Sequence, residues 1–192
     1  MINLFESYSQ GSWDLHYSLI VAGYANTTVC LSDDGFLPSD VTSPYLYFTG
    51  FDKVQGSALY FNQVPVPDYW EILGTNSNAE IFRFDKKRGH IHYAHPEHQR
   101  LVNAVDWYDE SGRLRVTDRY SNKGYRFSQT TYNVKQEATI TSYFTPDNKE
   151  VIVVNHLTKD VILNWKEKVY IFKNKSEFVV FYLQEAGYDL SR

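Results

Sequence analysis

The sequence predicts an α+β fold: a long antiparallel β-meander, forming an extended β-sheet domain, attached to part of a Rossmann-like α/β layer. Three observations predict it. From residue 76 onward, turn-like clusters recur about every twelve residues, the repeat of one strand plus one tight turn. The segments between them alternate with period two, as half-buried strands do. The opening residues instead run strand, helix, strand, which is one unit of an α/β layer.

Taken in order, Met1–Phe5 reads as a short strand. Ser12 is placed to cap a helix carrying Leu15, Leu19 and Ile20 at helical spacing, with Trp13 and Tyr17 alongside and Gly23 at its left-handed end. Thr27–Leu31 is strand-like and ends in the turn Ser32-Asp33-Asp34-Gly35. Pro38, Pro44, Pro65 and Pro67 then break regular structure, although Leu59–Val64 still reads as a strand. Turn clusters follow at 76–78, 85–89, 96–98, 109–112, 121–124, 133–135, 146–149, 158–160 and 166–168. Within 113–120, Leu114, Val116, Asp118 and Tyr120 share one face and Arg113, Arg115, Thr117 and Arg119 the other. Strands joined by short turns are antiparallel neighbours, so eight or nine of them make a meander. A helix from Ser176, apolar on nearly every side over Phe178–Leu183, closes the chain near Gly187. These signals divide the chain into a partial α/β segment (1–55), the sheet domain (56–173) and a returning helix (174–192). The sequence ends soon after that helix, so more protein is expected to follow.

Composition narrows the function. The 192 residues carry a net charge of -4, which argues against phosphate-backbone binding, so no nucleic-acid partner is expected. The acidic excess lies before residue 60, where Glu6, Asp14, Asp33, Asp34, Asp40 and Asp52 face Lys53 as the lone cation, and the rest is nearly balanced. Cys30 is the only cysteine, so there is no internal disulfide and no cysteine-based zinc site. The opening MINLFESYSQ lacks the basic and apolar regions of a signal peptide, and no apolar run approaches a membrane span. A cytoplasmic location is expected. The 16 Tyr, 12 Phe and 4 Trp suit a strand-rich core and supply stiff amphipathic area for a binding face.

Motifs of catalysis are missing. There is no G-x-S-x-G elbow, no helical H-E-x-x-H and no glycine-rich phosphate loop. His90, His92, His95 and His98 form the one metal-like cluster, but spacing places no third ligand beside the His90/His92 pair. The row Arg113, Arg115 and Arg119, with Tyr125, Phe127, Tyr132 and Tyr143 on nearby strands, offers the Arg and Tyr mixture of a recognition surface. These seven residues are the candidate partner- or acceptor-binding set.

Several strings are also familiar. Gly35-Phe36-Leu37-Pro38 with Asp40-Val41 and Ser43-Pro44-Tyr45, Leu59–Pro67 with Trp70-Glu71-Ile72, Ile91-His92-Tyr93-Ala94 and Val105-Asp106-Trp107 resemble the N-terminal half of the GtfB family. Members are glycosylation chaperones, the stabilising subunits of two-protein O-GlcNAc transferases in Gram-positive bacteria. The resemblance implies a glycosyltransferase-type body with an inserted extended sheet, no catalytic residues, no cofactor and no metal at the histidines. It further implies a homologous catalytic partner, GtfA, which transfers GlcNAc from UDP-GlcNAc. The acceptors would be serine-rich repeat adhesins exported by the accessory Sec system, and the site of action the cytoplasm, peripherally at the inner face of the membrane. The pair would associate through the extended sheets. Two other readings remain: a closed β-barrel around a small apolar ligand, and a metal-dependent enzyme at the histidines.

Overall fold

The computed structural model describes residues 2–24 and 26–188. Met1 of the expected first strand and residues 189–192 of the expected closing segment lie outside them. Two sheets carry the fold. β1 (Ile2–Phe5), β2 (Thr27–Cys30) and β3 (Val41–Thr42) form a three-stranded parallel sheet, with α1 (Gln10–Val21) between β1 and β2. A short helix, α2 (Pro44–Thr49), follows directly.

The second sheet has ten strands in sequential antiparallel order. They are β4 (Trp70–Gly74), β5 (Asn78–Arg83), β6 (Lys86–Tyr93), β7 (Val102–Tyr108), β8 (Leu114–Tyr120) and β9 (Arg126–Tyr132). β10 (Ala138–Phe144), β11 (Glu150–Asn155), β12 (Val161–Trp165) and β13 (Lys168–Phe172) complete it, and α3 (Lys175–Glu185) returns to the parallel sheet. β4 and β13 are free edges, so the sheet is open and the closed barrel is ruled out. Nine strand spacings of about 4.8 Å make it about 43 Å wide.

The twelve-residue rhythm has a local cause. The residue that opens each of several hairpin turns accepts hydrogen bonds from the turn's own amides. Asp109 Oδ1 takes those of Ser111 and Arg113, Asn133 Oδ1 those of Lys135 and Glu137, and Asn155 Oδ1 those of Leu157 and Thr158. Thr75 Oγ1 does the same for Ser77 and Asn78. Register shifts in β5–β6, β6–β7, β7–β8, β8–β9, β9–β10 and β10–β11 mark bulges that bend the ribbon.

Several boundaries differ from expectation. Lys86–Gly89 lies in β6, and only Phe84 and Asp85 form the loop joining Arg83 to Lys86. Leu59–Val64 is not a strand: Tyr60 makes one bridge to Leu101, and Phe61–Gln63 is a single 3-10 turn in which Gln63 Oε1 accepts from the Tyr60 amide. The α1 cap is Ser9 rather than Ser12, whose hydroxyl donates instead to the Ser7 carbonyl. Asn174, not Ser176, caps α3. The apolar side of α1 is also not core, since Trp13, Leu15, Tyr17 and Ile20 are all exposed and only His16 is buried. His16 bonds Tyr8 Oη at 2.8 Å. α2 was hidden inside the proline-rich stretch, where Ser43 caps it and Pro44 occupies its first turn.

Two clusters on opposite faces of the long sheet make the core. On one face, Tyr143, Ile152, Val154, Val161, Leu163, Trp165, Tyr170 and Phe172 of β10–β13 pack on Val29, α2 and α3. On the other, Ala79, Ile81, Ile91, Val102, Val105 and Tyr120 of β5–β8 are covered by the strap carrying Leu59, Phe61, Val64 and Val66. Each end of the ribbon is therefore clad on one face only.

The β2–β3 loop locks the two sheets together. Gly35, at φ 87°, lies where a Cβ would come 2.5 Å from the Tyr120 carbonyl oxygen and 2.6 Å from the Phe127 ring. Its own carbonyl accepts from the Asn122 amide at 2.7 Å, and Asn103 Nδ2 donates to the Asp34 carbonyl at 3.0 Å. Asp33 ties the loop to α2 by accepting from the Ser43 hydroxyl and the Gly35 amide. Burial pushes the Asp33 carboxyl up to about 6, against the lowering effect of those two bonds.

Two outcomes follow for stability. Gly35→Ala must strain the backbone and push two fixed neighbours apart, so chemical denaturation should show a loss of about 2 kcal/mol or more. For Asp33, the folded pKa exceeds the unfolded value of 3.8. The folded state then binds the extra proton between those values, so stability rises as pH falls from about 6 toward 3.8, by up to about 1.4 kcal/mol per pH unit. Asp33→Asn should flatten that part of the stability–pH curve.

Candidate interaction surface

Because strands pair in sequential order, side chains on one face line up in rows across the ribbon. One row runs Glu80, His90, Asp106, Thr117, Thr130 and Thr141, each directly opposite the next, and continues as Val154, Val161 and Phe172 where the helices cover it. The uncovered half is thus polar and the covered half apolar. That change of character is written into the strands themselves.

The polar half is internally bonded. Asp106 accepts from Thr117 Oγ1 and pairs with His92 Nε2 at 2.7 Å, while the Tyr132 hydroxyl lies 3.2 Å from Thr117 Oγ1. Bonds from His92 and Thr117 hold the Asp106 carboxyl below the usual range although burial opposes them. Thr130 and Thr141 hydroxyls are 2.8 Å apart, and Thr141 Oγ1 reaches His156 Nε2 at 2.7 Å. His90 packs edge-on against His92, its Nδ1 buried without a partner, and burial with the neighbouring His92 pushes its imidazole down. Among the described residues no group of three His, Cys, Asp or Glu side chains converges as a metal site would require. Cys30 is fully buried, its thiol pushed up by burial and donating to the Ser32 carbonyl, which is the setting of an inert core thiol.

The seven candidates fall in four places. Arg115, Arg119 and Tyr132 belong to the face of the polar row by strand alternation. Arg119 Nη1 donates to Asn103 Oδ1, next to the contact with the β2–β3 loop. Arg113 is paired with Asp109 within the β7–β8 turn, at 3.0 Å. Tyr125, at the β8–β9 turn, is exposed along one side and leans on Phe51. Phe127 and Tyr143 are corrections. Phe127 is 2% exposed and fills the junction beside Gly35, and Tyr143 stacks on Tyr45 at 4.2 Å with its hydroxyl pushed well up by burial and by Tyr45. A register shift at Arg119/Tyr120 opposite Arg126 turns Phe127 toward the α/β layer, which period-two reasoning could not foresee.

Sequence reasoning missed Asp118. It sits on the face opposite the polar row and accepts from Trp107 Nε1 at 2.8 Å, Gln129 Nε2 at 2.7 Å and Arg126 Nη1 at 3.4 Å. Arg126 in turn lies over the Phe144 ring at 4.8 Å and donates to Asn148. An aspartate in a strand-face position otherwise occupied by apolar residues was the available signal. The network braces β7–β9 in register. Asp118→Ala leaves an indole N–H and a guanidinium without their buried acceptor and should cost about 3 kcal/mol, read from the denaturation midpoint.

Comparison with known proteins matches both the N-terminal region and the long sheet. The family model described as the GtfB middle domain matches residues 70–173, and that of the GtfB N-terminal domain residues 2–48. A relative from Streptococcus agalactiae, the UDP-N-acetylglucosamine--peptide N-acetylglucosaminyltransferase stabilizing protein GtfB, is 45% identical over 192 residues, covering 100% of this chain and 43% of the relative. A crystal structure of a GtfA/B complex bound to UDP and GlcNAc contains a chain matching 99% of this one at 44% identity, TM-score 0.94, over 43% of its own length. A pneumococcal O-GlcNAc transferase, GtfA, solved with UDP and GlcNAc, shares the fold alone: TM-score 0.72 at 15% identity over 96% of this chain and 40% of that one. The chain thus spans less than half the length of the relatives it matches. With its N-terminal and sheet regions both matched in order, it belongs to the GtfB family.

Proposed function

We propose that this chain is the N-terminal and extended-sheet part of a non-catalytic subunit that stabilises a protein O-GlcNAc transferase and helps hold its acceptor. The observation that carries this reading is the alternating cover of the sheet. One face is open over β4–β9 with its bonded polar row, and the other is open over β11–β13, where Val169 and Ile171 are exposed. A ribbon with two free edges and two half-open faces leaves room for two different chains.

The division of labour follows from chemistry. A hydroxyl-rich, extended acceptor such as a serine-rich repeat adhesin suits many weak polar contacts along the Thr, His, Arg and Tyr side chains of the polar face. A folded catalytic subunit of the GtfA type needs apolar and aromatic anchors. Arg113, Arg115, Arg119, Tyr125 and Tyr132 are the remaining contact candidates. The three-stranded parallel sheet with α1 is read as the start of a Rossmann-like layer. Among the described residues no helix is long and apolar enough to cross a membrane. The reading places the complex in the cytoplasm, peripherally at the inner membrane face, upstream of accessory Sec export.

Co-expression with the catalytic subunit and a serine-rich acceptor fragment tests this. The chain should co-purify with the transferase and bind the acceptor. Arg115→Ala combined with Tyr132→Phe should weaken acceptor binding at least about tenfold while leaving transferase capture intact. Failure to associate with either chain would end the proposal.

A further inference from the structure

The polar row on the open face is a directed network, because each of its hydroxyls has one proton to give. Asp106 lies at its centre, opposite His90 on β6 and Thr117 on β8. Burial raises its carboxyl, but the bonds from His92 and Thr117 outweigh that and hold it below the usual range, so it stays ionised. An ionised carboxylate only accepts hydrogen bonds. The proton of Thr117 Oγ1 therefore goes to Asp106 Oδ1. Thr117 has no second proton for the Tyr132 hydroxyl 3.2 Å away, so in that contact Tyr132 donates and Thr117 accepts. With its proton turned inward, Tyr132 Oη offers only lone pairs to whatever meets the face.

The other carboxylate oxygen works the same way. Asp106 Oδ2 lies 2.7 Å from His92 Nε2, so Nε2 carries the ring proton, and in the neutral imidazole Nδ1 is bare. The His92 side chain is 47% exposed, whereas that of Asp106 is 18% exposed and Thr117 is 7%. The carboxylate and the threonine are too enclosed to hold a partner themselves. What they control is the direction of two groups that do reach the surface. Bracing alone does not explain the arrangement, because Asp118 already ties β7–β9 together on the opposite face through Trp107, Gln129 and Arg126.

We propose that Asp106 is a positioning residue of the acceptor-binding face, setting Tyr132 Oη and His92 Nδ1 as hydrogen-bond acceptors for the O–H and N–H groups of an extended peptide. This role rests on the functional reading above and deepens it, since it states which groups the bound chain must bring. A serine-rich segment supplies both kinds, a hydroxyl at each serine and a backbone amide at each residue. A segment rich in proline or in carboxylates, which lack those donors, binds less well. Arg115, on the same face by strand alternation, supplies donors for that chain's carbonyls.

Ring-nitrogen NMR spectra of the unaltered chain test the His92 arm. Neutral His92 should carry its proton on Nε2, and a proton on Nδ1 overturns the inference. Binding of a synthetic serine-rich peptide to the complex with the catalytic subunit reads the Tyr132 arm. Thr117→Val keeps the β-branched shape and removes only the hydroxyl, so binding should weaken about fivefold, the contribution of one hydrogen bond. Thr117→Ser keeps the hydroxyl and should leave binding unchanged. Tyr132→Phe should weaken it by a similar factor, and adding Thr117→Val to that variant should do nothing more. Losses that multiply instead would show Thr117 acting on the fold rather than through Tyr132, and would overturn the inference. Asp106→Asn fills the same space but accepts at one end only, so one arm must reverse and binding should fall to a comparable degree. Peptide binding that none of these variants changes overturns the role of Asp106 and leaves the functional reading standing. If the unaltered complex binds no peptide, both fall.

Discussion

A sheet this long must bury both faces somewhere, and the chain meets that requirement by cladding opposite faces at opposite ends. The Leu59–Val66 strap covers β5–β8 from one side, and α2 with α3 covers β10–β13 from the other. Everything between depends on the junction at Gly35, where the β2–β3 loop presses backbone to backbone on the end of β8. That close approach adds a backbone lock to the packing of α2 and α3 on β10–β13.

The arrangement explains why one cross-strand row can be polar at one end and apolar at the other without conflict. Glu80, Asp106, Thr117, Thr130 and Thr141 are hydrogen-bonded within the sheet, whereas Val154, Val161 and Phe172 in the same row pack in the cluster that α3 covers. Polar groups that bond within the sheet keep it rigid without filling the face, so a partner meets a formed surface rather than one it must order first. Membership of the GtfB family gives that surface a context.

Much of this was legible in the residues. The meander and the α/β start follow from turn spacing and period-two alternation, because hairpin turns are specified locally by Asp109, Asn133, Asn155 and Thr75. The meander has ten strands rather than eight or nine because β4 begins at Trp70, in a stretch whose prolines argue for irregular chain. The sites were less legible. Bulges rotate side chains by one place, so Phe127 turned inward while Arg115 and Arg119 kept their side. The apolar residues of α1 signal burial that the described residues do not supply. Leu59–Val64 has strand composition but serves as a lid, since its apolar side chains are what the face beneath it requires.

Hydrogen exchange, resolved strand by strand on this chain alone, tests the open ribbon most directly. The account predicts slow exchange in β6–β9, β11 and β12, and fast exchange along the outer sides of β4 and β13. Equal protection of those two edge strands and the central ones would mean that the ribbon closes on itself, and would contradict it.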